Sequence, residues 1–268
     1  MRIVAHVSDL HFGCADRRIA AALVAQLWQL APDLVAISGD LTQRARQSQF
    51  REARDYLAQM PSPRIVVPGN HDIPLFNVLA RFAYPRSGFF RHITTERHPY
   101  YEDDEIAVMG VDTTRSFTIK DGGLHAGDVH RLTSQLATAG TARVRIVVCH
   151  HPFDAPLGHI GRLTWPRPDI HAVATLVAEG ADVFLTGHLH ASYTGGTAMR
   201  YRANGRAAIV VEAGTATSTR VRGEPNAFNV LRIERARITV ERLAWQPSAG
   251  AFVTADTQTF TRIGDDWV

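Results

Sequence analysis

The sequence predicts an α/β (α+β) protein, a four-layer αββα sandwich in which two mixed β-sheets pack face to face with helices outside. Between residues 2 and 190, short β-branched apolar runs alternate with segments whose apolar residues recur at helical spacing. Residues 207–268 are strand-rich, and two sheets would accommodate all of these strands. The chain of 268 residues can bury such a core, and no change of composition marks a linker, so we expect a single domain over residues 1–268.

The first part of the chain predicts a β-α-β-α-β order. Strands are expected at 2–7, 33–38 and 64–67, and helices at 17–30 and roughly 48–60. The apolar residues of the first helix recur at helical intervals, at Ile19, Leu23, Leu27 and Leu30. This order implies parallel strands with right-handed crossovers, whose carboxyl ends lie at one edge of the sheet, where ligands bind.

The middle of the chain predicts further strands at 105–112, 144–149 and 182–185, with helices from about 126 to 139 and near 170–179. Residues 73–99 interrupt this rhythm. They are rich in aromatic residues and arginine and follow directly on a candidate site. This insert is either a surface excursion that packs its own aromatic side chains or a lid or substrate wall.

The carboxyl-terminal part predicts strands at 207–212, 228–233, 238–245 and 252–261. Alternation of apolar and polar residues in the third of these is typical of an antiparallel strand with one face in water. The antiparallel strands offer an edge for a homodimer, although such edges are also simply blunted. A loop of small residues at 214–223 is placed to return near the ligand edge.

Composition argues against several classes of partner and of cysteine site. The net charge of +3 is too small to indicate nucleic acid or an acidic membrane as the partner. The two cysteines, Cys14 and Cys149, form neither a disulfide framework nor a zinc pair. Because no signal peptide and no apolar run of membrane-spanning length is visible, we expect a cytoplasmic protein.

Polar residues follow five of the predicted strands. Alone, each group is weak: Asp-x-His triplets are common by chance, and Gly69-Asn70-His71-Asp72 also suits a tight turn with a satisfied histidine. Together, however, these residues should converge at the carboxyl edge. The candidate metal ligands are Asp9, His11, Asp40, Asn70, His150, His188 and His190. Asp9 and His11, like His188 and His190, are two residues apart, which in extended backbone places both side chains on one side.

The chemistry of these donors indicates a pair of metal ions. Carboxylate, amide and imidazole donors suit Mn, Fe, Zn or Co better than a thiolate-seeking ion or calcium. The set is too large for one four-coordinate ion but fits two divalent or trivalent transition-metal ions that share a carboxylate. Such a pair can clamp the attacking and leaving oxygens of an in-line phosphoryl displacement.

The series Asp9-x-His11, Gly39-Asp40, Gly69-Asn70-His71-Asp72, His150 and Gly187-His188-x-His190 resembles the calcineurin-like metallophosphoesterase superfamily. The resemblance covers residues 9–190 with all five blocks in order, and it implies a β-sandwich flanked by helices. It implies one metal ion held by Asp9, His11, Asp40 and His190, and a second held by Asp40, Asn70, His150 and His188. A hydroxide that bridges the metals would attack phosphorus.

The same resemblance gives two residues a catalytic role. It implies that His71 contacts the phosphate and assists the leaving oxygen, and that Asp72 orients the His71 ring. The resemblance also assigns His150 to the metal. The residues alone leave open which of His150 and His151 faces the site, and the other should point the opposite way if strand geometry persists.

The run Ser8-Asp9-Leu10-His11-Phe12-Gly13 is most similar to bacterial class III cyclic-nucleotide phosphodiesterases and glycerophosphodiesterases. We therefore expect hydrolysis of a small-molecule phosphodiester, with 3',5'-cyclic AMP as the leading candidate. The alternatives are a glycerophosphodiester or phospholipid-headgroup phosphodiesterase, a nuclease, and a catalytically inactive scaffold of the same fold. A nuclease predicts a basic stripe or an extra DNA-binding domain, which is not visible. The candidate substrate contacts are Arg44, Arg115 and His151.

Overall fold

The computed structural model describes residues 1–152, 170–197, 203, 205–220 and 223–268. Within them, a seven-stranded sheet has the order β13-β12-β11-β10-β1-β2-β3. Strands β1, β2 and β3 are parallel, and β10 to β13 continue the sheet in antiparallel pairs. The strands of this sheet are β1 (Arg2–Val7), β2 (Leu34–Ile37), β3 (Arg64–Val66), β10 (Ala227–Glu234), β11 (Arg237–Gln246), β12 (Ala251–Ile263) and β13 (Asp266–Trp267).

The second sheet has six strands in the order β4-β5-β6-β7-β9-β8. Its four central strands are parallel, and the two edge strands, β4 and β8, are antiparallel to their neighbours. The strands are β4 (Tyr100–Glu102), β5 (Ile106–Gly110), β6 (Val144–Val148), β7 (Val183–Thr186), β8 (Tyr193–Gly196) and β9 (Ile209–Glu212).

The α-helices of the described residues are α1 (Arg17–Leu30), α2 (Gln47–Leu57), α3 (Val78–Ala83), α4 (Ser87–His92), α5 (Ala126–Ala139) and α6 (Ile170–Ala178). Four of these, α1, α2, α5 and α6, cover the outer faces of the two sheets, and the two short ones lie in the insert. Leu23 and Leu27 of α1 pack on the first sheet, and Leu132 of α5 and Leu176 of α6 pack on the second. Helix α1 begins after Asp16, whose carboxylate accepts from two backbone N–H groups of the first turn.

The two sheets bury an aliphatic layer between them. Val4 and Leu34 from the first sheet and Val108, Ile146 and Leu185 from the second are fully buried in one cluster. The short parallel strands are apolar on both faces because one face meets the other sheet and one meets helices. The predicted fold class is therefore confirmed, as are the predicted helices at 17–30 and 126–139.

The structure differs from the sequence prediction in its short elements. The insert at 73–99 carries two short helices, α3 and α4, and the edge strands β4, β8 and β13 were not predicted. These elements have two to six residues, too few for a period to show in the sequence. Among the described residues, no helix combines the length and the apolar character needed to cross a membrane.

A buried carboxylate joins the sheets at the end of the molecule where β7 begins. Asp182 is fully buried and accepts from the backbone N–H of Arg145 (2.9 Å), from Arg262 Nη2 (2.8 Å) and from Trp267 Nε1 (3.1 Å). Arg145 lies on β6, whereas Arg262 and Trp267 lie on β12 and β13. The carboxylate therefore connects one sheet to the other with charge-assisted hydrogen bonds.

We expect Asp182→Ala to lower the free energy of unfolding by about 3–5 kcal/mol, because it leaves the guanidinium of Arg145 buried without its counter-charge. Urea unfolding measures this loss. Asp55→Ala is the matched control, since its partner Arg54 is half exposed at 50% and an exposed pair contributes only about 0–1 kcal/mol. Equal losses in the two variants would contradict a structural role for Asp182.

Candidate metal centre

The carboxyl ends of five strands meet at one edge of the sandwich. Asp9 and His11 follow β1, Asp40 follows β2, and Asn70 follows β3; in the second sheet His150 follows β6, and His188 and His190 follow β7. The structure thus brings together all seven predicted ligand residues. Their polar atoms form two neighbouring groups.

The first group combines one carboxylate with two histidines. Asp9 Oδ1 lies 3.4 Å from His11 Nε2 and 3.3 Å from His190 Nε2, and the two ring nitrogens are 3.2 Å apart. Asp9 Oδ1 is buried and has no hydrogen-bond partner within the part of the chain that the structure describes. Buried polar oxygens normally have a partner, so a bound cation would account for this one.

The second group combines an amide oxygen with two histidines. Asn70 Oδ1 lies 3.1 Å from His150 Nε2 and 2.9 Å from His188 Nδ1, and these two nitrogens are 3.2 Å apart. The Asn70 amide is oriented by its Nδ2, which donates to the carbonyl of Ile119 at 3.2 Å. Three lone-pair donors therefore face a common point.

The carboxylate of Asp40 lies between the two groups. Its Oδ2 is 3.7 Å from His11 Nε2 and 3.4 Å from His150 Nε2, and its Oδ1 accepts from the backbone N–H of His71 at 2.8 Å. One oxygen thus approaches histidines of both groups. This is the arrangement that a carboxylate shared by two cations requires.

Hydrogen bonds behind the ligands fix the histidine tautomers. His150 Nδ1 lies 2.7 Å from the carbonyl of Ser38, and His190 Nδ1 lies 3.1 Å from that of Arg220. A carbonyl oxygen only accepts, so both Nδ1 atoms donate, and both Nε2 atoms keep a lone pair for a cation.

The backbone at the site differs from the extended geometry that the spacing suggested. Asp9, His11, Asp40, His188 and His190 have φ of 56°, 50°, 53°, 76° and 57°, all in the left-handed region. Convergence therefore results from turns after the strands rather than from alternation along them. Left-handed backbone at residues with side chains is rare and concentrates at functional sites.

Loop pairing holds this strained backbone. Asp9 N–H donates to the carbonyl of Gly39 at 3.1 Å, and His11 N–H donates to that of Asp40 at 2.9 Å. A Cβ atom at Gly69 would overlap the carboxylate of Asp40, and one at Gly187 would overlap Ser8 and Asp9. Glycine before the ligands thus permits close approach of the loops.

Charges within the cluster shift the pKa values of its ligand residues. Burial would lower the pKa of His150, but Asp40 outweighs it and raises the value to about 9. Burial together with the charge of His150 lowers the pKa of His188 to about 3. For Asp9 burial acts upwards, yet the neighbouring His11 and the charge of His190 hold the pKa well below its usual value.

These directions suit cation binding. Ionised carboxylates and a neutral His188 are the protonation states that ligate a metal, and a cation beside Asp40 would replace the proton on His150. The donor set of oxygen and imidazole nitrogen matches divalent ions such as Mn, Fe, Zn and Co. The residues present therefore fit the predicted metals.

The structure gives Asp72 a different role from the one that the resemblance implied. Its carboxylate accepts from the backbone N–H groups of Leu41 (3.1 Å), Thr42 (2.8 Å) and Gly69 (3.0 Å). N–H groups of the two ligand loops occupy both of its oxygens, and among the described residues no hydrogen bond joins it to the His71 ring. Asp72 fastens those loops together.

The ring of His71 is held by a backbone carbonyl instead. His71 Nδ1 lies 2.9 Å from the carbonyl of Gln43 and 3.2 Å from Arg44 Nη1; because the carbonyl is the closer partner, Nδ1 carries the proton and Nε2 is left to exchange one. The ring lies edge-on to His11, with 4.8 Å between the ring centroids. His71 therefore lies at the border of the ligand cluster.

His151 does not point away from the site, as continued strand alternation after His150 would have required. Strand β6 ends at Val148, so alternation does not extend to the two histidines. Ligand atoms of His150, His151 and His188 all lie within 4.8 Å of one another. His151 Nδ1 also lies 2.8 Å from the hydroxyl of Thr113.

A cavity of about 170 Å³ opens beside these ligands. Its walls are formed by Gln43, Arg44, Asn70, His71, Ile73, Leu75, Ile119, Lys120 and Arg220. Arg44 is thus at the site as predicted, whereas Arg115 lies against Leu124, with Nη2 3.4 Å from its carbonyl. Lys120 and Arg220 were missed; the only signal for Arg220 was the small-residue loop at 214–223.

Residues 214–220 of that loop do return to the site. Thr215 and Thr217 donate their hydroxyls to the carbonyls of Asp9 and Leu10, each at 2.8 Å. The carbonyl of Arg220 accepts from His190, as described above. The loop therefore supports the first group of ligands from behind.

Comparison with known proteins agrees with this geometry. A family model described as calcineurin-like phosphoesterase matches residues 3–192. A probable cyclic nucleotide phosphodiesterase of Synechococcus sp. is 34% identical over 80 residues, which are 26% of this chain and 31% of that protein. Glycerophosphodiester phosphodiesterase GpdQ of Enterobacter lignolyticus is 30% identical over 171 residues, which are 59% of each protein. The alignments thus span less than two thirds of either relative.

Among solved structures, purple acid phosphatase PPD1 from yellow lupin (Lupinus luteus) seeds superimposes with a TM-score of 0.72 at 13% identity, over 98% of this chain and 54% of that one. At this identity the likeness shows a shared fold alone. The family model spans most of the chain and includes every ligand loop. The chain belongs to the calcineurin-like phosphoesterase family.

Proposed function

We propose that this protein is a metal-dependent hydrolase of phosphodiesters that works with two cations. The observation that carries the proposal is the position of Asp40, whose Oδ2 approaches His11 on one side and His150 on the other. A carboxylate in this position can be shared by two cations about 3.5–4 Å apart, the spacing of two-metal sites that catalyse in-line displacement.

In this proposal, the first cation would be held by Asp9, His11, Asp40 and His190, and the second by Asp40, Asn70, His150 and His188. When bound, the pair supplies Lewis-acid polarisation of the phosphoryl oxygens and makes water a stronger acid near neutral pH. The protein fixes the geometry through Ser38, Ile119 and Arg220, whose carbonyls orient the ligands from behind.

His71 is the proposed proton-transfer group. Its Nδ1 is committed to Gln43, and its ring stands against His11 at the border between the ligands and the cavity. A histidine in this position can deliver a proton to the leaving oxygen at Nε2. Burial lowers the pKa of the free group, so the neutral form dominates at pH 7 until an anionic phosphate enters.

Three positively charged side chains of the cavity would bind the substrate. Arg44, Lys120 and Arg220 line it together with His71. If the amide of Gln43 is oriented with its oxygen towards the guanidinium groups, it accepts from Arg44 at 2.8 Å and from Arg220 at 3.0 Å. Gln43 thus holds two positive charges beside His71, where the non-bridging oxygens of a phosphodiester would need them.

Within this class, 3',5'-cyclic nucleotides and glycerophosphodiesters are the substrates to compare, since relatives named for each share parts of the sequence. The ratio of kcat/KM values ranks them, with single-stranded DNA as a third substrate for the nuclease alternative. A value for DNA above both small molecules would overturn the preference for small phosphodiesters.

The metal requirement can be tested with Asn70→Ala. We expect the wild type, purified without chelator, to contain about two transition-metal ions per chain and to hydrolyse bis(p-nitrophenyl) phosphate. The variant should lose one ion and most activity, because the amide oxygen facing His150 and His188 is gone. Elemental mass spectrometry and a steady-state assay with added Mn²⁺ measure both effects.

Asp55→Ala, an exposed site on α2, is the matched control and should change neither metal content nor turnover. A wild type that binds no metal and turns over no diester would contradict the enzyme proposal and favour the inactive scaffold. One ion per chain with full activity would contradict the shared carboxylate.

The different roles of His71 and Asp72 can be separated by substitution. We expect His71→Ala to lower kcat by about 10²–10⁴-fold, the usual contribution of a general acid or base, with metal content unchanged. Asp72→Ala should instead lower thermal stability and metal content together. Each buried N–H left without an acceptor costs about 1–3 kcal/mol.

Differential scanning calorimetry and metal analysis of both variants distinguish these outcomes. If Asp72→Ala keeps its stability and its metal but loses kcat to the same extent as His71→Ala, then Asp72 acts through the His71 ring after all.

A further inference from the structure

Large apolar side chains are exposed together beside the cavity. Most of the exposed large hydrophobic residues in the described part of the chain lie in two segments, 73–99 and 113–125, whereas the others, such as Trp28 and Ile263, are scattered. We call this surface the apolar rim. It consists of Phe76, Val78, Leu79, Phe82, Tyr84, Phe117 and Ile119, of which Phe117 is 90% exposed and Phe76 77%.

A buried arginine builds the apolar rim. Arg81 of α3 is only 7% exposed, and its guanidinium donates to the backbone carbonyls of Pro74 (3.1 Å), Ser116 (2.7 Å) and Thr118. These hydrogen bonds join the two segments. The ring centroids of Phe82 and Phe117 lie 5.3 Å apart. A guanidinium is costly to bury unless its hydrogen bonds are made, so the segments form one surface rather than two independent loops.

The apolar rim is continuous with the cavity. Ile119 belongs to both: its side chain lines the cavity and its carbonyl accepts from Asn70. The guanidinium carbon of Arg44, another cavity residue, lies 6.0 Å from the ring centroid of Phe76. The rim therefore borders the mouth through which a substrate enters.

Positive charge accompanies the apolar side chains. Residues 73–99 hold four arginines and one glutamate, and residues 113–125 hold one arginine, one lysine and one aspartate. The two segments thus carry a formal charge of +4, compared with +3 for the whole chain. The guanidinium of Arg81 is hydrogen-bonded to backbone carbonyls, and that of Arg86 is paired with Asp112. Lys120 and Arg220, in contrast, are exposed at the cavity mouth.

We propose that the apolar rim docks the protein onto an anionic phospholipid surface, with the cavity facing the headgroups. Aromatic and aliphatic side chains enter the boundary between headgroups and acyl chains, and the surrounding cations meet the lipid phosphates. A second copy is a poorer occupant. It would oppose Lys120 and Arg220 with the same cations, and it would close both cavity mouths.

Vesicle binding tests the proposal on the full chain. We expect the protein to sediment with vesicles of equimolar phosphatidylcholine and phosphatidylglycerol, and to bind vesicles of phosphatidylcholine alone much more weakly. High salt should release it, since exposed charges are screened at short range. Binding that is equal on both vesicles, or absent from both, would overturn the proposal.

The variant Leu79→Ser/Phe117→Ser removes two exposed side chains that do not line the cavity. Inserting each of these side chains into the lipid strengthens membrane binding about tenfold. The double variant should therefore bind about a hundredfold more weakly. Ile263→Ser, which removes a side chain of 65% exposure on β12, is the matched control and should bind as the wild type does. Equal loss in both variants would overturn the assignment of docking to the rim.

Two readouts separate the alternatives. Hydrolysis of bis(p-nitrophenyl) phosphate in solution should be unchanged in the double variant, so a docking failure with intact hydrolysis leaves the proposed function standing. Sedimentation velocity without lipid should show the same oligomeric state for both proteins. A wild-type dimer that dissociates in the double variant would identify the rim as a contact between copies and overturn the lipid proposal.

Discussion

The geometry of the site depends on one carboxylate reaching histidines that follow strands of two different sheets. Asp40 and His11 belong to the seven-stranded sheet, and His150 belongs to the six-stranded sheet. Asp40 can lie between them only if the sheets pack with these carboxyl ends at the same edge. The aliphatic layer between the sheets sets their separation, and the buried carboxylate of Asp182 connects them where β7 begins. Packing far from the ligands therefore determines their distances.

The ligand loops store strain that the rest of the fold balances. Five ligand residues have left-handed backbone, and each such residue costs about 1–3 kcal/mol. Hydrogen bonds between neighbouring loops and the carboxylate of Asp72 hold this backbone in place. The regular strands and helices behind the site provide the compensating burial of apolar surface. The backbone of the ligand loops is therefore held by the protein's own hydrogen bonds.

Much of the fold and most of the candidate ligands could be predicted from the sequence. The apolar residues of amphipathic helices recur at a regular spacing, so α1 and α5 were predicted. Buried parallel strands appear as short apolar runs, and the polar residues directly after those runs indicated the ligands. The role of Asp72 could not be predicted, because its partners Leu41 and Thr42 are brought near only by folding. Which of His150 and His151 faces the site could not be predicted from alternation, because β6 ends at Val148, before both residues. The apolar rim depends on the cross-link from Arg81, which no local pattern shows.

Lys120 is the single lysine of the sequence, and its side chain is exposed at the mouth of the cavity. Within this sequence, reagents that acylate primary amines therefore have one side-chain target. The backbone nitrogen of Met1 lies 2.6 Å from a carboxylate oxygen of Glu105. A fluorophore attached to Lys120 would give the natural sequence an optical reporter at the entrance of its own cavity, without an engineered cysteine.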